Sequence, residues 1–269
     1  MPSSRVAVIG AGAAGLVATR ELRREGHAAV VFERAVAVGG TWLYDEAASA
    51  DPLGAGGVHG SLHASLRTNL PHECMGFLDF PFLADEGSSS SDPRRFPGHQ
   101  EVLRVDINLS IDRAEEDGSV VFQDGSRVKA DAIMHCTGYK YSFSFFGDDS
   151  AITVDDNRVG PLYKHVFPPR LAPSISFVGL PFKGFLFPVF QLQSSWVAGV
   201  LSGRIELPSS EQMTQDVASF YSDMEARGHS KRFTHDLGVG TFEYEDWLVE
   251  RCGLERIEEW RKAIYVMSQ

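Results

Sequence analysis

The first forty residues constrain the fold more than any other part of the chain. Val6 to Ile9 is a short apolar run of the kind found in parallel strands buried on both faces. The glycine-rich segment Gly10-Ala11-Gly12-Ala13-Ala14-Gly15 follows at once, and Leu16 to Glu25 predicts a helix closed by Gly26. Ala28 to Phe32 predicts a second strand. A strand, a helix and a strand within about 30 residues indicate a Rossmann-type dinucleotide-binding unit.

Three glycines of this segment have separate roles in such a unit. Gly10 permits the tight turn after the strand, Gly12 lets the backbone approach a pyrophosphate, and Gly15 lets the helix pack closely on the strand. The free N–H groups at the start of the helix attract the anion. Glu33 follows the second strand and can accept hydrogen bonds from a ribose 2′-hydroxyl, whereas it would repel a 2′-phosphate. FAD or NAD is therefore favoured over NADP.

A second glycine pair comes soon after Glu33, in the segment Gly39-Gly40-Thr41-Trp42. Glycines at this point let the backbone lie against a cofactor, which favours a flavin over a nicotinamide alone. The alternative interpretation is a plain turn. Gly40, Thr41 and Trp42 are accordingly candidate cofactor-binding residues.

Turn-forming residues divide the middle of the chain. Residues 45–64 and 84–98 are rich in small and polar residues and predict two mobile surface loops. Ser119 to Phe122 and Arg127 to Cys136 predict a hairpin around the dipeptide Asp124-Gly125.

The C-terminal half predicts one more strand and then helices. Ser174 to Leu180 predicts a strand that ends in a glycine loop, and Pro188 to Leu201 predicts a helix followed by Gly203. From Ser209 onward the sequence predicts mainly helix, with Ser209 as an N-cap and Gln212 at the third helical position.

The composition excludes several classes of function. A net charge of −11 argues against binding to nucleic acid or to an anionic membrane surface. The most apolar stretch, Ile175 to Leu192, contains Lys183, two glycines and two prolines, so no membrane span is expected. The three cysteines are far apart, which predicts neither a disulfide framework nor a zinc site. A strand beginning by Val6 leaves no room for a signal peptide, and we expect a reducing, cytoplasmic location.

Six further segments resemble one known family, the flavin-containing monooxygenases, and most of all the plant members that oxygenate sulfur in glucosinolate side chains. The matching segments are Ser-Leu-Arg-Thr-Asn-Leu-Pro-His-Glu-Cys-Met at 65–75, Asp-Phe-Pro-Phe at 79–82, Phe-Pro-Gly-His-Gln-Glu-Val-Leu at 96–103, Cys-Thr-Gly-Tyr at 136–139, Phe-Val-Gly-Leu-Pro at 177–181, and Gln-Leu-Gln at 191–193 with Trp196. The resemblance covers nearly the whole chain except a short stretch near 105–110.

The resemblance implies a specific chemistry. In this family NADPH reduces FAD, and the flavin then passes one oxygen atom of O2 to a soft nitrogen or sulfur nucleophile, as in N,N-dimethylaniline monooxygenases. An asparagine that protects the oxygenated flavin corresponds to Asn69, whose amide can both donate and accept. Thr68 is a further candidate for the cofactor site. So are Thr137 and Gly138, where a buried strand ends, and Gly179, near a second helix start at Pro188. The alternative for Asn69 is a turn former before Leu70-Pro71.

A second dinucleotide motif, which this family carries for NADPH, is missing from the sequence. Gly54-Ala55-Gly56-Gly57 has His59 where the third glycine should stand, and no apolar strand precedes it. The family's Phe-x-Gly-x-x-x-His-x-x-x-(Tyr/Phe) fingerprint is also absent. A domain of about 100–150 residues is therefore expected to be missing near Arg104 to Ser110.

These observations predict an α/β fold: a Rossmann-type FAD-binding domain, of the kind seen in flavoproteins with two dinucleotide sites, without its inserted NADPH domain. The expected parts are residues 1–104 as its first portion, 105–110 as the deletion junction, 111–208 as its second portion and 209–269 as a helical C-terminal segment.

Without a bound hydride donor, the resemblance implies weak or no monooxygenase activity on small N- or S-containing substrates with O2. One alternative is a non-catalytic FAD-binding remnant, or a partner of full-length relatives. Another is a flavin oxidase that needs no NADPH, although amine oxidases of that type read Gly-Gly-Arg where this chain has Gly40-Thr41-Trp42.

Overall fold

A computed structural model of the chain describes residues 3–35, 37–44, 66–82, 96–98, 102, 141, 143 and 151–268, with the backbone of three strands within 119–135. Within these residues no helix combines the length and apolar character needed to cross a membrane. Cys74 and Cys252 are both buried, and no cluster of metal-binding side chains forms in the described part. The predicted loop 45–64, residues 84–95 of the second loop, and Cys136 lie outside it.

In the described part of the chain, four parallel strands form the central sheet. β1 (Arg5–Ile9) pairs with β2 (Ala28–Phe32) on one side and with β5 (Ala132–His135) on the other, and β8 (Ile175–Phe177) pairs with β5. Because all four strands run in the same direction, their carboxyl ends share one edge. Open α/β sheets bind their ligands at that edge.

The first helix confirms the predicted strand–helix–strand unit. α1 (Ala13–Arg24) begins three residues earlier than the pattern predicts, because Gly12 already adopts the extended N-cap conformation, with φ −85° and ψ −177°. It ends as predicted at Gly26, whose φ is +88°. The N–H of Gly26 donates to the carbonyl of Arg23 and that of His27 to the carbonyl of Leu22, which is the Schellman pattern.

Among the described residues, two hairpins lie outside the central sheet. β3 (Ser119–Val121) and β4 (Arg127–Lys129) pair antiparallel, as the Asp-Gly turn predicts. The second arm does not continue to Cys136 as one strand, because β4 belongs to the hairpin while β5 pairs with β1 in another sheet. β6 (Thr153–Asp155) and β7 (Arg158–Gly160) form a second hairpin, to which the sequence pattern assigns no strands.

Four helices complete the chain: α2 (Leu186–Leu201), α3 (Ser210–Ala226), α4 (Thr241–Cys252) and α5 (Glu259–Met267). The predicted capping box is present at α3. The side chain of Ser209 accepts from the N–H of Gln212 at 3.2 Å, and the Gln212 side chain accepts from the N–H of Ser209 at 2.9 Å. Three of these helices, α3, α4 and α5, lie within residues 209–269, the part for which the sequence predicts mainly helix.

The main hydrophobic core lies where α1 and α2 pack together and against the sheet and α4. Trp196 of α2 is 2% exposed, and its ring centroid lies 4.9 Å from that of Phe167 and 5.1 Å from that of Trp247. Residues 187–189 and 191–199 of α2 are buried, so this helix is enclosed on most sides. Phe185, just before α2, is completely buried as well.

Candidate functional site

The glycine motif forms a tight turn at the carboxyl end of β1. Gly10 has a φ of +102°, a conformation that favours glycine, and its N–H donates to the carbonyl of Phe32 at 2.6 Å. Gly12 is the N-cap of α1, and Gly15 is buried within the helix. The first turn of α1 contains no acidic residue and the N-cap makes no side-chain hydrogen bond. The helix thus presents backbone N–H groups with no side-chain cap, suited to an anion.

The second glycine pair packs directly against the first motif. The N–H of Gly39 donates to the carbonyl of Ala11 at 2.8 Å. Gly40 has a φ of +51°, and a Cβ there would lie 2.8 Å from the Cα of Gly12. Gly40 and Thr41 are exposed and Trp42 is half-buried, in a 3₁₀ turn over Gly40–Trp42. Gly40 therefore has a packing reason to be glycine, in addition to the cofactor contact that the sequence predicts.

Glu33 joins the two loops. Its Oε2 accepts from the N–H of Ala11 at 2.7 Å and its Oε1 accepts from the N–H of Ala35 at 2.8 Å. Each carboxylate oxygen can accept more than one hydrogen bond, so the group retains capacity for a hydroxyl donor. The carboxylate lies beside the glycine motif, where the strand–helix–strand pattern requires it.

Thr68 and Asn69 lie on a separate segment, residues 66–82. The N–H of Thr68 donates to the carbonyl of Pro97 at 3.1 Å, and its Oγ1 donates to the carbonyl of Leu70 at 2.6 Å. Thr68 is buried, whereas Asn69 is exposed. The backbone around Asn69 is thus held in place while its side chain faces outward.

One hydrophobic cluster brings these segments together. Its buried members are Val17, Met75, Phe77, Val102 and Phe187, and the partly buried residues packed on it are Ala13, Trp42, Leu70, Phe82 and Phe190. The start of α1, the glycine turn, the residue after Asn69 and the start of α2 therefore share one packing centre.

Gly179, another predicted site residue, lies at the same edge of the sheet. Gly179 follows β8 with a φ of +85°, and a Cβ there would lie 2.7 Å from the Cβ of Ala14 in α1. Its observed role is close packing against the first turn of α1. Thr137 and Gly138 lie outside the described residues, and β5, the strand before them, ends at the same edge as β1.

Two glutamines of α2 hold the site segments, although the sequence marked them only as part of a resemblance. Gln191 accepts from the N–H of Leu78 at 2.6 Å and donates to Oδ1 of Asp79 at 2.9 Å. Gln193 accepts from the N–H of Gly179 at 3.0 Å. The signal that could have identified them is a pair of amide side chains at buried positions of a mainly apolar helix, because buried polar groups require partners.

Asp79 also forms ion pairs with two arginines of α1. Arg20 donates to its Oδ1 at 2.8 Å, and Arg24 donates to its Oδ2. Burial alone would raise the pKa of Asp79, but the hydrogen bond from Arg24 and the two positive charges bring it below its usual value. The segment that carries Asn69 is thus tied to both α1 and α2.

A family profile described as flavin-binding monooxygenase-like matches residues 3–88 and 96–248. The chain belongs to this flavin-binding monooxygenase-like family. Two curated relatives from Arabidopsis thaliana agree with the assignment. Flavin-containing monooxygenase FMO GS-OX-like 4 is 38% identical over 408 aligned positions, covering 98% of this chain and 90% of the relative. FMO GS-OX-like 2 is 38% identical over 411 positions, covering 99% of this chain and 88% of the relative.

Two solved structures superpose on the chain and share its fold. S-allyl-L-cysteine S-oxygenase from Allium sativum superposes with a TM-score of 0.82 at 36% identity, covering 99% of this chain and 92% of that chain. Tmm from Pelagibacter sp. strain HTCC7211 superposes with a TM-score of 0.64 at 18% identity. This flavin-binding monooxygenase-like chain has 269 residues where its relatives align over about 410 positions, so well over a hundred positions lack a counterpart here.

Proposed function

We propose that this chain binds FAD at the carboxyl edge of its parallel sheet, with the pyrophosphate at the start of α1. The observation that carries the proposal is that the uncapped start of α1, the Gly40 turn and the Asn69 segment share one packing centre, with the Glu33 carboxylate beside the glycine motif. Gly10, Gly12 and Gly15 hold the pyrophosphate turn, and Glu33 accepts from a ribose hydroxyl.

The space beside Gly12 supports the fit. Gly12 has a φ of −85°, which any residue can adopt, and a Cβ built on it meets its nearest atom, the Cα of Gly40, only at 3.6 Å. Nothing in the described part of the protein therefore requires glycine here for packing. A requirement for glycine comes instead from a ligand that lies against the backbone.

The proposed chemistry is that of the family, the oxygenation of a soft nitrogen or sulfur nucleophile with O2. FAD supplies the redox chemistry when it is bound. The residues of this chain orient the bound FAD and shield it. Asn69 presents an exposed amide that can donate and accept at the flavin, while Thr68 fixes the backbone before it through the carbonyls of Pro97 and Leu70. Thr41, Trp42, Thr137, Gly138 and Gly179 complete the proposed cofactor contacts.

We also propose that this chain has weak or no monooxygenase activity with NADPH. The sequence has one dinucleotide motif, and the relatives are longer by well over a hundred aligned positions. We assign the missing positions to the NADPH domain, between a first FAD-binding portion at 1–104 and a second at 111–208. The junction at 105–110 lies outside the described residues. Without a positioned hydride donor, flavin reduction loses the advantage of proximity.

A non-catalytic FAD-binding protein that associates with full-length relatives is the second candidate function, favoured by the same missing motif.

The visible absorption spectrum of the purified, gel-filtered protein tests FAD binding. We expect a flavin spectrum at about one FAD per chain, or its recovery after incubation with FAD. Gly12→Ala should remove it without unfolding the protein. Gly240→Ala is the matched control, because Gly240 has a φ of −82° and a Cβ there meets nothing within 4 Å. A normal flavin content in Gly12→Ala would contradict the proposed pyrophosphate site.

Anaerobic addition of NADPH tests the second part of the proposal. We expect the flavin absorbance to bleach slowly or not at all, whereas dithionite should bleach it fully. Bleaching at a rate typical of enzyme turnover, on the order of 10 per second, would show that the chain binds NADPH productively. Substrate-stimulated NADPH oxidation at that rate would then establish an active monooxygenase.

A further inference from the structure

Arg261 of α5 reaches the segment that carries Asn69, although it lies at the opposite end of the chain. Its Nε donates to the carbonyl oxygen of Glu73 at 3.0 Å, and its Nη2 donates to the carbonyl oxygen of Gly76 at 2.9 Å. The residue is 2% exposed. One guanidinium group therefore bonds to the backbone on both sides of the buried Cys74, in the turn that follows Asn69.

Packing alone does not account for an arginine at this position. Removing a guanidinium from water is unfavourable unless its donors find partners, and an apolar side chain of similar size packs without that penalty. The ion pair that Arg261 makes with Glu258 is long, at 3.6 Å, and the Glu258 side chain is half exposed. The guanidinium carbon also lies 5.4 Å from the ring centroid of Phe185. The stacking contact uses the face of the guanidinium, whereas the two carbonyl bonds use its N–H groups and suit the fixed fork of an arginine.

A second anchor holds the same segment from the other side. Gln191 bonds to the N–H of Leu78 and to the carboxylate of Asp79, as described above. Arg261 fixes the backbone at Glu73 and Gly76. With the two bonds of Gln191, the segment is held at four residues: Glu73, Gly76, Leu78 and Asp79. Because the side chain of Asn69 is itself exposed, its position depends on how firmly this backbone is held.

We propose that Arg261 is a positioning residue, which fixes the turn at residues 73–76 and thereby sets the place of Asn69 against the cofactor. The proposal rests on the proposed function, since Asn69 acts only where FAD is bound. It assigns the C-terminal helix α5 a part in the cofactor site, distant in sequence from the glycine motif.

The first test needs no cofactor. Cys74 is fully buried within the turn, so its labelling by a thiol reagent reports whether the turn opens. We expect Arg261→Met to label at Cys74 at least about tenfold faster than the unmodified chain, read by peptide mass spectrometry. Lys262→Met is the matched control, because Lys262 is the next residue of α5 but bonds to Asp246 and Glu259 instead. Equal labelling in the two variants would overturn the proposal.

A conservative variant covers the case in which Arg261→Met fails to fold, as judged by circular dichroism. Arg261→Lys keeps the charge but has a single nitrogen, which cannot reach both carbonyls as the guanidinium does. Its expected labelling rate at Cys74 lies between those of the unmodified chain and a chain with an open turn. A rate no faster than that of Lys262→Met would again reject the role of Arg261.

The second test links Arg261 to Asn69 through FAD affinity. Dissociation constants are measured for the unmodified chain, Arg261→Met, Asn69→Ala and the double variant. If Arg261 acts through Asn69, the double variant weakens binding by less than the product of the two single effects. Independent, multiplying effects would contradict the proposal. If the unmodified chain holds no FAD, the proposed function fails, and the labelling of Cys74 still decides whether Arg261 holds the turn.

Discussion

The N–H of Gly179 donates a 3.0 Å hydrogen bond to Oε1 of Gln193, which ties the loop after the last parallel strand to helix α2. The same glutamine donates through Nε2 to the hydroxyl of Tyr244 at 2.9 Å, and that hydroxyl donates to the carbonyl of Lys164 at 2.8 Å. Gln193 is completely buried. A continuous chain of hydrogen bonds therefore runs from the sheet edge to the C-terminal helices.

Replacing Gln193 by leucine should lower the free energy of unfolding by about 2 kcal/mol, because it leaves the N–H of Gly179 without its buried acceptor. Urea denaturation followed by circular dichroism measures the change. Gln215→Leu is the control, since Gln215 is exposed on α3 and the same substitution there should change stability by less than about 0.5 kcal/mol. Equal effects of the two substitutions would show that the Gln193 network adds no stability.

Gly179→Ala should destabilise the protein more than Gly26→Ala. Both glycines have nearly the same φ, +85° and +88°, so the backbone strain of an alanine is alike, about 1 kcal/mol. Only at Gly179 does the new Cβ come within 2.7 Å of another atom, the Cβ of Ala14, whereas at Gly26 it meets nothing within 4 Å. We expect about 1–3 kcal/mol of additional loss from this overlap, measured by urea denaturation.

Removing the opposing methyl group provides the control for that prediction. The double variant Ala14→Gly/Gly179→Ala should recover much of the additional loss, although glycine in the helix costs roughly 0.5–1 kcal/mol. A double variant less stable than the sum of its parts would indicate that close packing on α1 is not the reason for the glycine.

The strand–helix–strand unit at the start of the chain could be predicted because its signals are local. An apolar run, a glycine turn, a helix and Glu33 follow one another within 33 residues, and the structure places them as expected. Even the capping box at Ser209 and Gln212 was evident from two residues three positions apart. Such features depend on neighbours in the chain and need no knowledge of tertiary packing.

The supports of the site could not be predicted in this way. Gln191 bonds to Leu78 and Arg261 bonds to Glu73, pairs separated by more than one hundred residues. Nothing in the local pattern of a helix reveals which distant carbonyl or amide its polar side chain meets. The hairpin of β6 and β7 was missed for a simpler reason, since each strand has only three residues.

The buried His235 and the partly buried His165 beside it predict a loss of stability in mild acid. Nδ1 of His165 lies 3.1 Å from Nδ1 of His235, and Nε2 of His235 lies against the backbone of Val159. Burial lowers the pKa of His165 to about 3, with the charges of His235 and Lys164 adding to the effect. Burial likewise lowers the pKa of His235 to about 4, with a contribution from Arg158. Both rings are therefore neutral in the folded protein at pH 5, whereas an unfolded chain protonates them below pH 6.5.

Because the folded pKa values are depressed, the stability is full above pH 6.5 and falls as the pH drops toward 4. At pH 5 the loss due to His235 is about 2 kcal/mol. His235→Gln should flatten the dependence of unfolding free energy on pH between 7 and 5, measured by urea denaturation. The exposed His229 provides the control variant His229→Gln, which should leave the slope unchanged. An unaltered slope in His235→Gln would mean that this ring is protonated in the folded state.

Glu245 of α4 predicts the opposite dependence on pH. Its side chain is completely buried, and its Oε2 has no hydrogen-bond partner among the described residues. Burial raises the pKa of Glu245 to about 8, although the hydrogen bond from Thr241 and the charges of Lys262 and Arg261 act against the shift. A raised folded pKa means that the contribution to stability is full below pH 4.5 and is lost as the pH rises through about 8.

Glu245→Gln abolishes this titration while keeping the shape of the side chain. Between pH 5 and pH 8 the variant should gain stability relative to the unmodified chain by about 1.4 kcal/mol for each pH unit. Glu243→Gln, on the exposed face of the same helix, should show a difference that does not vary with pH. Unfolding free energies from urea denaturation at pH 5.5, 6.5 and 7.5 separate the two cases. Parallel curves for Glu245→Gln and the unmodified chain would show that the buried carboxyl group is already ionised in the folded protein.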